Sequence, residues 1–438
     1  MKKYILILSF LLYYSFSFTP SFGQTKGKNS KPNFIIIMAD DLGYGAISCF
    51  GHKEIKTPNL DEMAKQGVKF LDYHSNGTVC SPTRAALMTG RYQQRSGVNS
   101  VLTAAKHRDK GLPLAEKTIA ETLKENGYVT GLFGKWHLGY DVKFNPVNQG
   151  FDEFKGFLSG NVDYHSHVDE VGNADWWQGD SLKTQAGYTT NLITQNAISF
   201  INRHKDKPFL LYIAHEAPHY PYQGLNSKSN REVNKVGKVK GLQEDILPIY
   251  KEMIELMDES IGKTLKILKD LKLDSNTLVI FCSDNGGVGE VNSNGVLRGT
   301  KTNLWEGGHR VPAIAKWTGH IKPNTISNAT VLSMDLFPTF LEMAGLSKPK
   351  EIDGISIAKH LTTQQALPAR TVFWGYGENR TAVRKGKWKL VELSAESKPE
   401  LFDLENDISE KNNLADKHPD IVKALQSEIM EWKSDVYK

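Results

Sequence analysis

The sequence predicts an α/β protein with a mostly parallel central sheet flanked by helices, followed by a smaller C-terminal α+β unit. Continuous apolar segments, such as Asn33–Met38 and Thr277–Ser283, are typical of strands buried on both faces of a parallel sheet. Amphipathic helical segments alternate with such strands up to about Leu367, which indicates a sheet covered on both faces. After Leu367 the pattern changes to short strands and one final helix.

Local signals define the elements in order. Thr57-Pro58 combines a capping residue with proline at the first helical position, and Gly67 ends this helix. Asn126-Gly127 ends a later amphipathic helix in the same way. Apolar segments predict further strands at Val68–Tyr73, Tyr128–Phe133, Phe209–Ala214, Val311–Lys316, Thr371–Trp374, Lys387–Val391 and Glu400–Leu404. Helical periodicity predicts helices at Ser81–Met88, Glu116–Glu125, Thr190–Arg203, Glu244–Lys272 and Ile421–Trp432.

Composition and charge exclude several classes of protein. Of the 438 residues, 39% are hydrophobic and 24% are charged, which is typical of a globular protein and not of a disordered or fibrous one. The net charge of +5 is too small for a nucleic-acid-binding protein, which needs a concentrated basic face. We therefore expect no nucleic-acid partner.

The first 23 residues predict an export signal. Lys2 and Lys3 precede the apolar segment Tyr4–Phe18, and Ser21-Phe22-Gly23 ends in a small residue, which predicts cleavage before Gln24. The alternative is a single membrane anchor, but the apolar segment is short and interrupted by serine. We expect a periplasmic or secreted protein without a stable membrane anchor, divided into residues 1–23 (signal), 24–367 (main α/β domain) and 368–438 (C-terminal α+β subdomain).

Three cysteines are too few, and odd in number, for a disulfide framework. Cys282 lies in an apolar strand and is expected to be a buried core thiol, whereas Cys49 has no evident role. Cys80 opens the segment Cys80-Ser81-Pro82-Thr83-Arg84, in which Pro82 stands where a helix would start. Arg84 would then lie one turn on, on the same face as Cys80, and a helix N-terminus with an arginine suits a tetrahedral anion. The alternative is a buried thiol ahead of a capped helix.

Two pairs of polar residues follow buried strands at equivalent places. Asp40-Asp41 follows the first buried strand, and Asp284-Asn285 follows Thr277–Ser283. Ligands of open α/β sheets gather at the carboxyl ends of strands, so these oxygen atoms would converge there. An all-oxygen site suits calcium better than zinc. Alternatively, each pair forms only a turn or a helix cap.

Basic and imidazole side chains occur at further strand ends. Lys135-Trp136-His137 lies at a strand exit, His215 and His219 follow Phe209–Ala214, and Lys301 lies in a glycine-rich segment. Any one of them is more often a surface or core residue. Together with the carboxylates and Cys80–Arg84, they suit the binding and cleavage of a charged ester of sulfur or phosphorus.

The order of these motifs resembles that of the formylglycine-dependent sulfatases, the type I or arylsulfatase-like family of the alkaline phosphatase superfamily. The segment Cys80–Arg84 with Thr89-Gly90-Arg91 is the most specific part of the resemblance. The C-terminal segments Arg384–Leu390, Leu401–Leu404 and Asn413-Leu414-Ala415 extend it. The resemblance implies an alkaline-phosphatase-like α/β domain and sulfate ester hydrolysis.

The resemblance also implies the cofactors and the roles of the site residues. A separate sulfatase-maturating enzyme would oxidise Cys80 to Cα-formylglycine, whose hydrate attacks sulfur and whose second hydroxyl then allows sulfate to leave. By the same resemblance, one calcium ion would be held by Asp40, Asp41, Asp284, Asn285 and residue 80, and Arg84 would stabilise the hydrate. The sulfate would be contacted by Lys135, Lys301, His219 and Ser159. His219, assisted by Lys301, would protonate the departing alcohol, and His137 would be the base beside residue 80.

The segment Gly160–Asp180 suggests the class of substrate. It contains His165, Trp176 and Trp177, and indole faces commonly stack on sugar rings. With export, this favours a sulfated polysaccharide or oligosaccharide as the partner, although the same residues would also suit an ordinary packed loop. Two rival functions are an unmodified phosphohydrolase of the same fold and a catalytically silent glycan-binding protein. The Cys80 motif disfavours the phosphohydrolase, which would more naturally have serine or threonine as its nucleophile and a two-metal, histidine-rich site. The presence of Cys80, Arg84 and His219 disfavours the silent binding protein.

Overall fold

A ten-stranded sheet forms the centre of the fold in the computed structural model, which describes residues 31–235, 246–291, 293–394 and 396–438. The predicted export signal and Glu244-Asp245, the first two residues of the predicted helix Glu244–Lys272, lie outside the described residues. The described strands are β1 (Asn33–Ala39), β2 (Val68–Phe70), β3 (Tyr73–His74), β4 (Val129–Lys135), β5 (Glu153–Phe157), β6 (Trp177–Gln178), β7 (Ser181–Leu182), β8 (Phe209–Ala214), β9 (Thr277–Ser283), β10 (Ala313–Lys316), β11 (Thr325–Ser327), β12 (Val331–Leu332), β13 (Thr371–Tyr376), β14 (Arg380–Lys385), β15 (Trp388–Glu392) and β16 (Glu400–Asp403).

Helices cover the sheet and fill the connections between its strands. The described α-helices are α1 (Pro58–Lys65), α2 (Cys80–Thr89), α3 (Ile119–Glu125), α4 (Thr189–His204), α5 (Ile246–Asp270), α6 (Glu306–His309), α7 (Leu336–Met343), α8 (Ala358–Thr363) and α9 (Pro419–Val436). None of the helices in the described ranges is both long enough and apolar enough to cross a membrane.

The strand order of the large sheet is β11-β2-β10-β9-β1-β8-β4-β5-β6-β7. The five central strands, from β9 to β5, run parallel to one another, whereas β10, β6 and β7 pair antiparallel with their neighbours. Their five carboxyl ends therefore lie side by side along one edge. Gly134 in β4 permits close strand approach, because a Cβ there would lie 1.9 Å from the carbonyl oxygen of Ala214.

Side chains of the central strands alternate between two hydrophobic cores. Phe34, Ile36 and Met38 of β1 pack on one face, and Ile35 and Ile37 pack on the other. Residues of α2, α3, α7 and α8 complete the first core, while residues of α1, α4 and α5 complete the second. This arrangement confirms the predicted mostly parallel sheet with helices on both faces.

A four-stranded antiparallel sheet, β13-β14-β15-β16, follows in the C-terminal region. One face packs on α9 through Leu425 and Ile429. The other face contributes Trp374 and Phe402 to a core shared with Ala86 of α2. The predicted C-terminal α+β unit is thus present, and it supports the helix that begins at Cys80. Residues 31–438 cluster as one compact unit, and the predicted boundary after residue 367 stays a prediction.

Several local predictions needed correction. Helix α1 begins at Pro58 as expected, but the Thr57 hydroxyl accepts a hydrogen bond from Ser48 N and does not cap the helix. The Asp258 carboxylate caps it instead, accepting hydrogen bonds from Asn59 N and Leu60 N at 3.0 and 2.8 Å. The sequence analysis also missed β5 and β14, in which charged residues interrupt the apolar pattern.

Candidate active site

The predicted site residues meet at the carboxyl edge of the central sheet. Asp40 and Asp41 follow β1, Asp284 and Asn285 follow β9, Lys135 ends β4, and His219 lies five residues beyond β8. Helix α2 brings Cys80 and Arg84 to the same edge. All eight side chains belong to buried residues, so few water molecules compete for their charges.

Oxygen, sulfur and imidazole groups form a compact cluster at the centre of this edge. Asp40, Asp41, Cys80 and His219 each offer one ligating atom, and these atoms lie within 4.8 Å of one another. Cys80 Sγ lies 3.4 Å from Asp40 Oδ1, and Asn285 Nδ2 donates a hydrogen bond to Asp41 Oδ1 at 2.7 Å. The sequence pairs predicted to form one site therefore do come together.

Arg84 and Asp284 form a buried ion pair beside Cys80. The guanidinium donates to Asp284 Oδ2 from Nε and Nη2, at 3.1 and 2.8 Å. Its Nη1 donates to the Lys135 carbonyl oxygen at 3.1 Å and to the Tyr212 hydroxyl at 3.2 Å. These contacts fix the orientation of Arg84 through both sides of its planar group. Tyr212 was missed by the sequence analysis, although it is the polar aromatic residue in an otherwise apolar strand.

Two lysines face the carboxylates. Lys135 pairs with Asp40, and Lys301 Nζ lies 2.7 Å from Asp41 Oδ1 and 3.6 Å from Cys80 Sγ. Burial pushes the pKa of Asp41 upward, but Lys301 and His219 bring it below its usual range. Burial and the nearby Asp284 raise the pKa of Asp40 to about 7. The surroundings therefore favour the charged form of Asp41 and disfavour the charged form of Asp40.

The residues at this edge fit a hard cation. Asn285 Oδ1 is buried and has no hydrogen-bond partner among the residues that the structure describes. Asp40, Asp41 and Asp284 bring three carboxyl groups into a small buried volume, which is costly unless cations balance them. Carboxylate and amide oxygens are the ligands that calcium prefers.

The two nitrogens of His137 have different surroundings. Nε2 lies 2.8 Å from the carbonyl oxygen of Leu102, which can only accept a hydrogen bond, so Nε2 carries the proton. Nδ1 is buried and lacks a partner within the described part of the chain. Burial and the charge of Lys135 lower the pKa of His137 well below its usual value. His137 is therefore neutral, with a lone pair on Nδ1.

His219 has the opposite tautomer. Its Nδ1 donates to the Tyr220 carbonyl oxygen at 2.6 Å, which leaves Nε2 at 3.5 Å from Asp41 Oδ2. Burial lowers the pKa of His219 well below its usual value, although Asp41 opposes this. Nε2 is thus the nitrogen that can exchange a proton with a group bound at the cluster.

Backbone groups and a tyrosine hold His137, and the sequence analysis identified none of them. The Leu102 carbonyl oxygen also accepts a hydrogen bond from the Tyr140 hydroxyl at 3.2 Å, while Leu102 N donates to Ser81 Oγ at 3.1 Å. Gly160 lies against the other side of the ring, because a Cβ there would lie 2.8 Å from His137 Nε2. Gly160 N donates to the Tyr140 hydroxyl at 3.3 Å.

The residues predicted for substrate binding differ in how deeply they are buried. Ser159 is buried, and its hydroxyl donates to the Asn161 carbonyl oxygen at 2.9 Å. His165 is half-buried, with Nε2 at 3.1 Å from the Gly224 carbonyl oxygen. Trp177 is also half-buried, and its indole donates to Asp175 Oδ1 at 2.6 Å.

Trp176 requires a correction. It is 2% exposed, packs against His167 with ring centroids 4.5 Å apart, and donates to Gln185 at 3.1 Å. A ring buried in this way cannot stack on a sugar. The sequence analysis was wrong about Trp176 because a tryptophan in a polar segment predicts a sugar-stacking residue and a small local core equally well.

Comparisons with known proteins identify the family of this chain. Residues 32–346 match the sulfatase family, and residues 300–435 match the C-terminal region of N-sulphoglucosamine sulphohydrolase. The human N-acetylgalactosamine-6-sulfatase is 34% identical over 83% of this chain and 72% of its own length. Human arylsulfatase A is 31% identical over 90% of this chain and 86% of its own length.

A solved structure shares the fold of this chain. The crystal structure of Ps i-CgsB is 29% identical, with a TM-score of 0.84 over 93% of this chain and 94% of that one. The same protein has been crystallised in complex with k-i-k-neocarrahexaose. With the family match over most of its length, this chain belongs to the sulfatase family and is a sulfuric ester hydrolase.

Proposed function

We propose that this sulfatase is exported and removes sulfate from a sulfated polysaccharide or its oligosaccharides, using formylglycine at position 80 and one calcium ion. The observation that carries the proposal is the convergence of Cys80 with Asp40, Asp41 and His219, whose ligating atoms lie within 4.8 Å of one another. The names of the relatives support a carbohydrate substrate, since one is an N-acetylgalactosamine-6-sulfatase and another was crystallised with a neocarrahexaose. The pattern of residues 1–23 supports export.

Calcium would be held by Asp40, Asp41, Asp284 and Asn285 together with residue 80. The unpartnered Asn285 Oδ1 and the converging carboxyl groups of Asp40 and Asp41 support this assignment. Asp284 joins them, because its Oδ1 accepts a hydrogen bond from Asp41 N at 3.2 Å. The ion would neutralise the carboxylates and polarise an oxygen of the sulfate ester.

An unmodified Cys80 is a poor candidate for the nucleophile. Burial and the nearby Asp284 and Asp40 raise the pKa of its thiol above the usual range, so the thiol stays protonated. Formylglycine would supply a hydrated aldehyde with two hydroxyl groups on one carbon, one to attack sulfur and one to allow sulfate to leave. Arg84, fixed by Asp284 and the Lys135 carbonyl oxygen, is suited to donate hydrogen bonds to those hydroxyl groups.

The remaining side chains would balance the charge of the substrate or transfer protons during the reaction. The ammonium groups of Lys135 and Lys301 balance the negative charge of a bound sulfate ester. His219 Nε2 faces the cluster, and once the negative charge of a bound sulfate ester raises the pKa of His219, Nε2 would hold the proton that the departing alcohol needs. His137 Nδ1, neutral and unpartnered among the described groups, would accept a proton from residue 80.

The experiment that tests the proposal is mass spectrometry of the peptide spanning Val79–Arg84, on protein co-expressed with a sulfatase-maturating enzyme. We expect active protein to carry formylglycine at position 80. Protein made without the maturating enzyme, and the Cys80→Ala variant, should fold but hydrolyse 4-nitrophenyl sulfate at least about 10³-fold more slowly, because the nucleophile is missing.

The Cys49→Ser variant is the matched control, since Cys49 is a free, half-buried thiol outside the cluster. It should keep both the modification and the activity. An intact thiol at position 80 in fully active enzyme, or substantial turnover by Cys80→Ala, would refute the mechanism. Preference for 4-nitrophenyl phosphate over the sulfate would instead support the phosphohydrolase alternative. A panel of defined sulfated saccharides would then identify the natural substrate class.

A further inference from the structure

A basic turn, Thr103–Lys110, lies next to the segment of the candidate active site that contains His137, the proposed proton acceptor. Lys106, Arg108 and Lys110 are exposed, and Asp109 is the one acidic residue of the turn. The side chains of the three cations make no ion pair or hydrogen bond with any residue in the described ranges. Their charge is thus free to act on a ligand.

Both ends of the basic turn are attached to residues next to His137. At the start, the Leu102 carbonyl oxygen lies 2.8 Å from His137 Nε2. At the end, Gly111 pairs with Gly139, and Leu112 N donates to the Leu138 carbonyl oxygen at 2.8 Å. Eight residues that leave and return to one place reach at most about 13 Å from it. The backbone that carries the three cations therefore lies within about 13 Å of the segment that contains His137.

The backbone of the basic turn is folded by its own hydrogen bonds. His107 N donates to the Thr103 carbonyl oxygen at 2.9 Å, Lys110 N donates to the His107 carbonyl oxygen at 3.1 Å, and Thr103 N donates to His107 Nδ1 at 3.1 Å. The cations are thus presented on a folded turn and not on an extended loop, so less conformational entropy is lost when a ligand binds them.

We propose that the basic turn binds a second sulfate group of the substrate chain, so that the preferred substrate is a polysulfated saccharide. This rests on the proposed function. A neutral sugar would gain little from three cations, whereas an additional sulfate ester can pair with arginine and lysine. Because the cations are exposed, the attraction depends on ionic strength and acts over about 10 Å at 0.1 M salt.

The test uses dextran sulfate as the polyanion, with neutral dextran as its control. It compares the parent with the triple variant Lys106→Ser/Arg108→Ser/Lys110→Ser. Dextran sulfate should inhibit 4-nitrophenyl sulfate turnover by the parent, and the inhibition constant should rise about fivefold in the variant at low salt. The difference should vanish at about 0.5 M salt. The kcat for 4-nitrophenyl sulfate should stay within twofold, since that ester carries a single sulfate.

The matched control is Lys263→Ser/Lys266→Ser/Lys269→Ser, which removes the same charge from the exposed face of α5. That part of α5 leads to the amino end of β9, on the edge opposite the candidate active site. If inhibition by dextran sulfate weakens equally in both variants, the effect is one of general charge. If inhibition does not weaken in the basic-turn variant, the turn is merely solvated. Either result overturns the proposal.

The outcome is separable from failure of the proposed function. If the matured parent does not hydrolyse 4-nitrophenyl sulfate, calorimetric binding of dextran sulfate to the same three proteins still decides whether the basic turn recognises polyanions. If the triple variant does not fold, Arg108→Ser alone should weaken binding about twofold, and an unchanged affinity would refute the proposal.

Discussion

The Tyr140 hydroxyl joins the two backbone segments that enclose the His137 ring. It donates to the Leu102 carbonyl oxygen on one side and accepts a hydrogen bond from Gly160 N on the other. Because the same carbonyl oxygen contacts His137 Nε2, Tyr140 helps to fix the ring with Nδ1 as its proton acceptor. Tyr140 is therefore a positioning residue that acts through His137.

We expect Tyr140→Phe to lower kcat for 4-nitrophenyl sulfate about fivefold and to leave KM within twofold. The variant loses a hydrogen bond with a net contribution of about 1 kcal/mol that orients His137, and this bond does not contact the bound sulfate. Steady-state kinetics measures both constants. Tyr128→Phe is the control, since the Tyr128 hydroxyl is also buried but has no partner in the described structure. A loss confined to KM, or an equal loss of kcat in both variants, would contradict this role.

At the residue scale, the sequence predicted the side chains that carry charge and missed those that hold them. Asp40, Asp284 and Lys135 could be predicted because each follows or ends an apolar strand. The Leu102 carbonyl oxygen could not be predicted, because every residue has a carbonyl group and only the fold brings this one to His137. Tyr140 lies three residues after His137, but nothing in the sequence shows that its hydroxyl bridges two distant segments.

At the scale of elements, a buried ion network joins the C-terminal sheet to the catalytic region. Lys389 of β15 lies 2.8 Å from Glu306 of α6, 2.9 Å from Glu410 and 3.0 Å from His309 Nε2. His309 Nδ1 in turn lies 2.9 Å from His74 Nδ1. His74, Glu306 and His309 could hold a metal ion by their spacing, but the Lys389 ammonium already supplies the positive charge there.

The pKa shifts of this network determine how its stability depends on pH. Burial alone would raise the pKa of Glu306, but Lys389 and His74 bring it well below its usual range. Glu306 therefore stabilises the fold above its unfolded pKa of about 4.5, and this contribution is lost on acidification. Burial raises the pKa of Glu410 to about 7, so its contribution weakens as the pH rises from about 4.5 to 7.

We expect Lys389→Met to destabilise the protein by about 3–5 kcal/mol at pH 7.5, because two buried carboxyl groups then lack their cation. The loss should shrink toward pH 5, because without Lys389 the pKa of Glu306 is no longer held down and protonation then relieves the unpaired charge. Urea unfolding at both pH values measures this. Lys385→Met on the neighbouring β14 removes an exposed pair with Glu428 and should cost less than about 1 kcal/mol. A loss at Lys389 that is equal at both pH values would refute the electrostatic explanation.

There are physical reasons why the sequence analysis missed some elements. Strand β14 contains Arg380, Arg384 and Lys385, and β5 alternates glutamate and lysine with aromatic residues, so neither has the apolar pattern of the central strands. The true cap of α1, Asp258, lies about 200 residues away in sequence. Local pattern predicts an element, whereas partners supplied by distant segments decide its ends.

For the whole molecule, the candidate calcium site joins the ends of β1 and β9, two neighbouring strands at the centre of the sheet. The sequence predicted both strands and their polar ends but not the strand order, which long connections determine. A ligand that binds only the folded state stabilises it by about 2.7 kcal/mol at 100 times its Kd. Calcium should therefore raise the melting temperature of the entire chain.

We expect 1 mM calcium to raise the melting temperature by several degrees over chelator-treated protein, measured by scanning calorimetry. Asp284→Asn should reduce this rise, because one carboxylate is removed from the cluster. Asp258→Asn weakens the cap of α1 far from the cluster and should keep the full rise on a lower baseline. A melting temperature that does not respond to calcium would refute the metal assignment.

The burial of Cys80, at 1% exposure, has a consequence for the timing of biosynthesis. The residue lies inside the first turn of α2, and its thiol is enclosed by groups such as Asp40 and Lys301, so a catalyst of protein size cannot reach it in the folded protein. Any enzymatic oxidation of this residue has to precede the completion of folding.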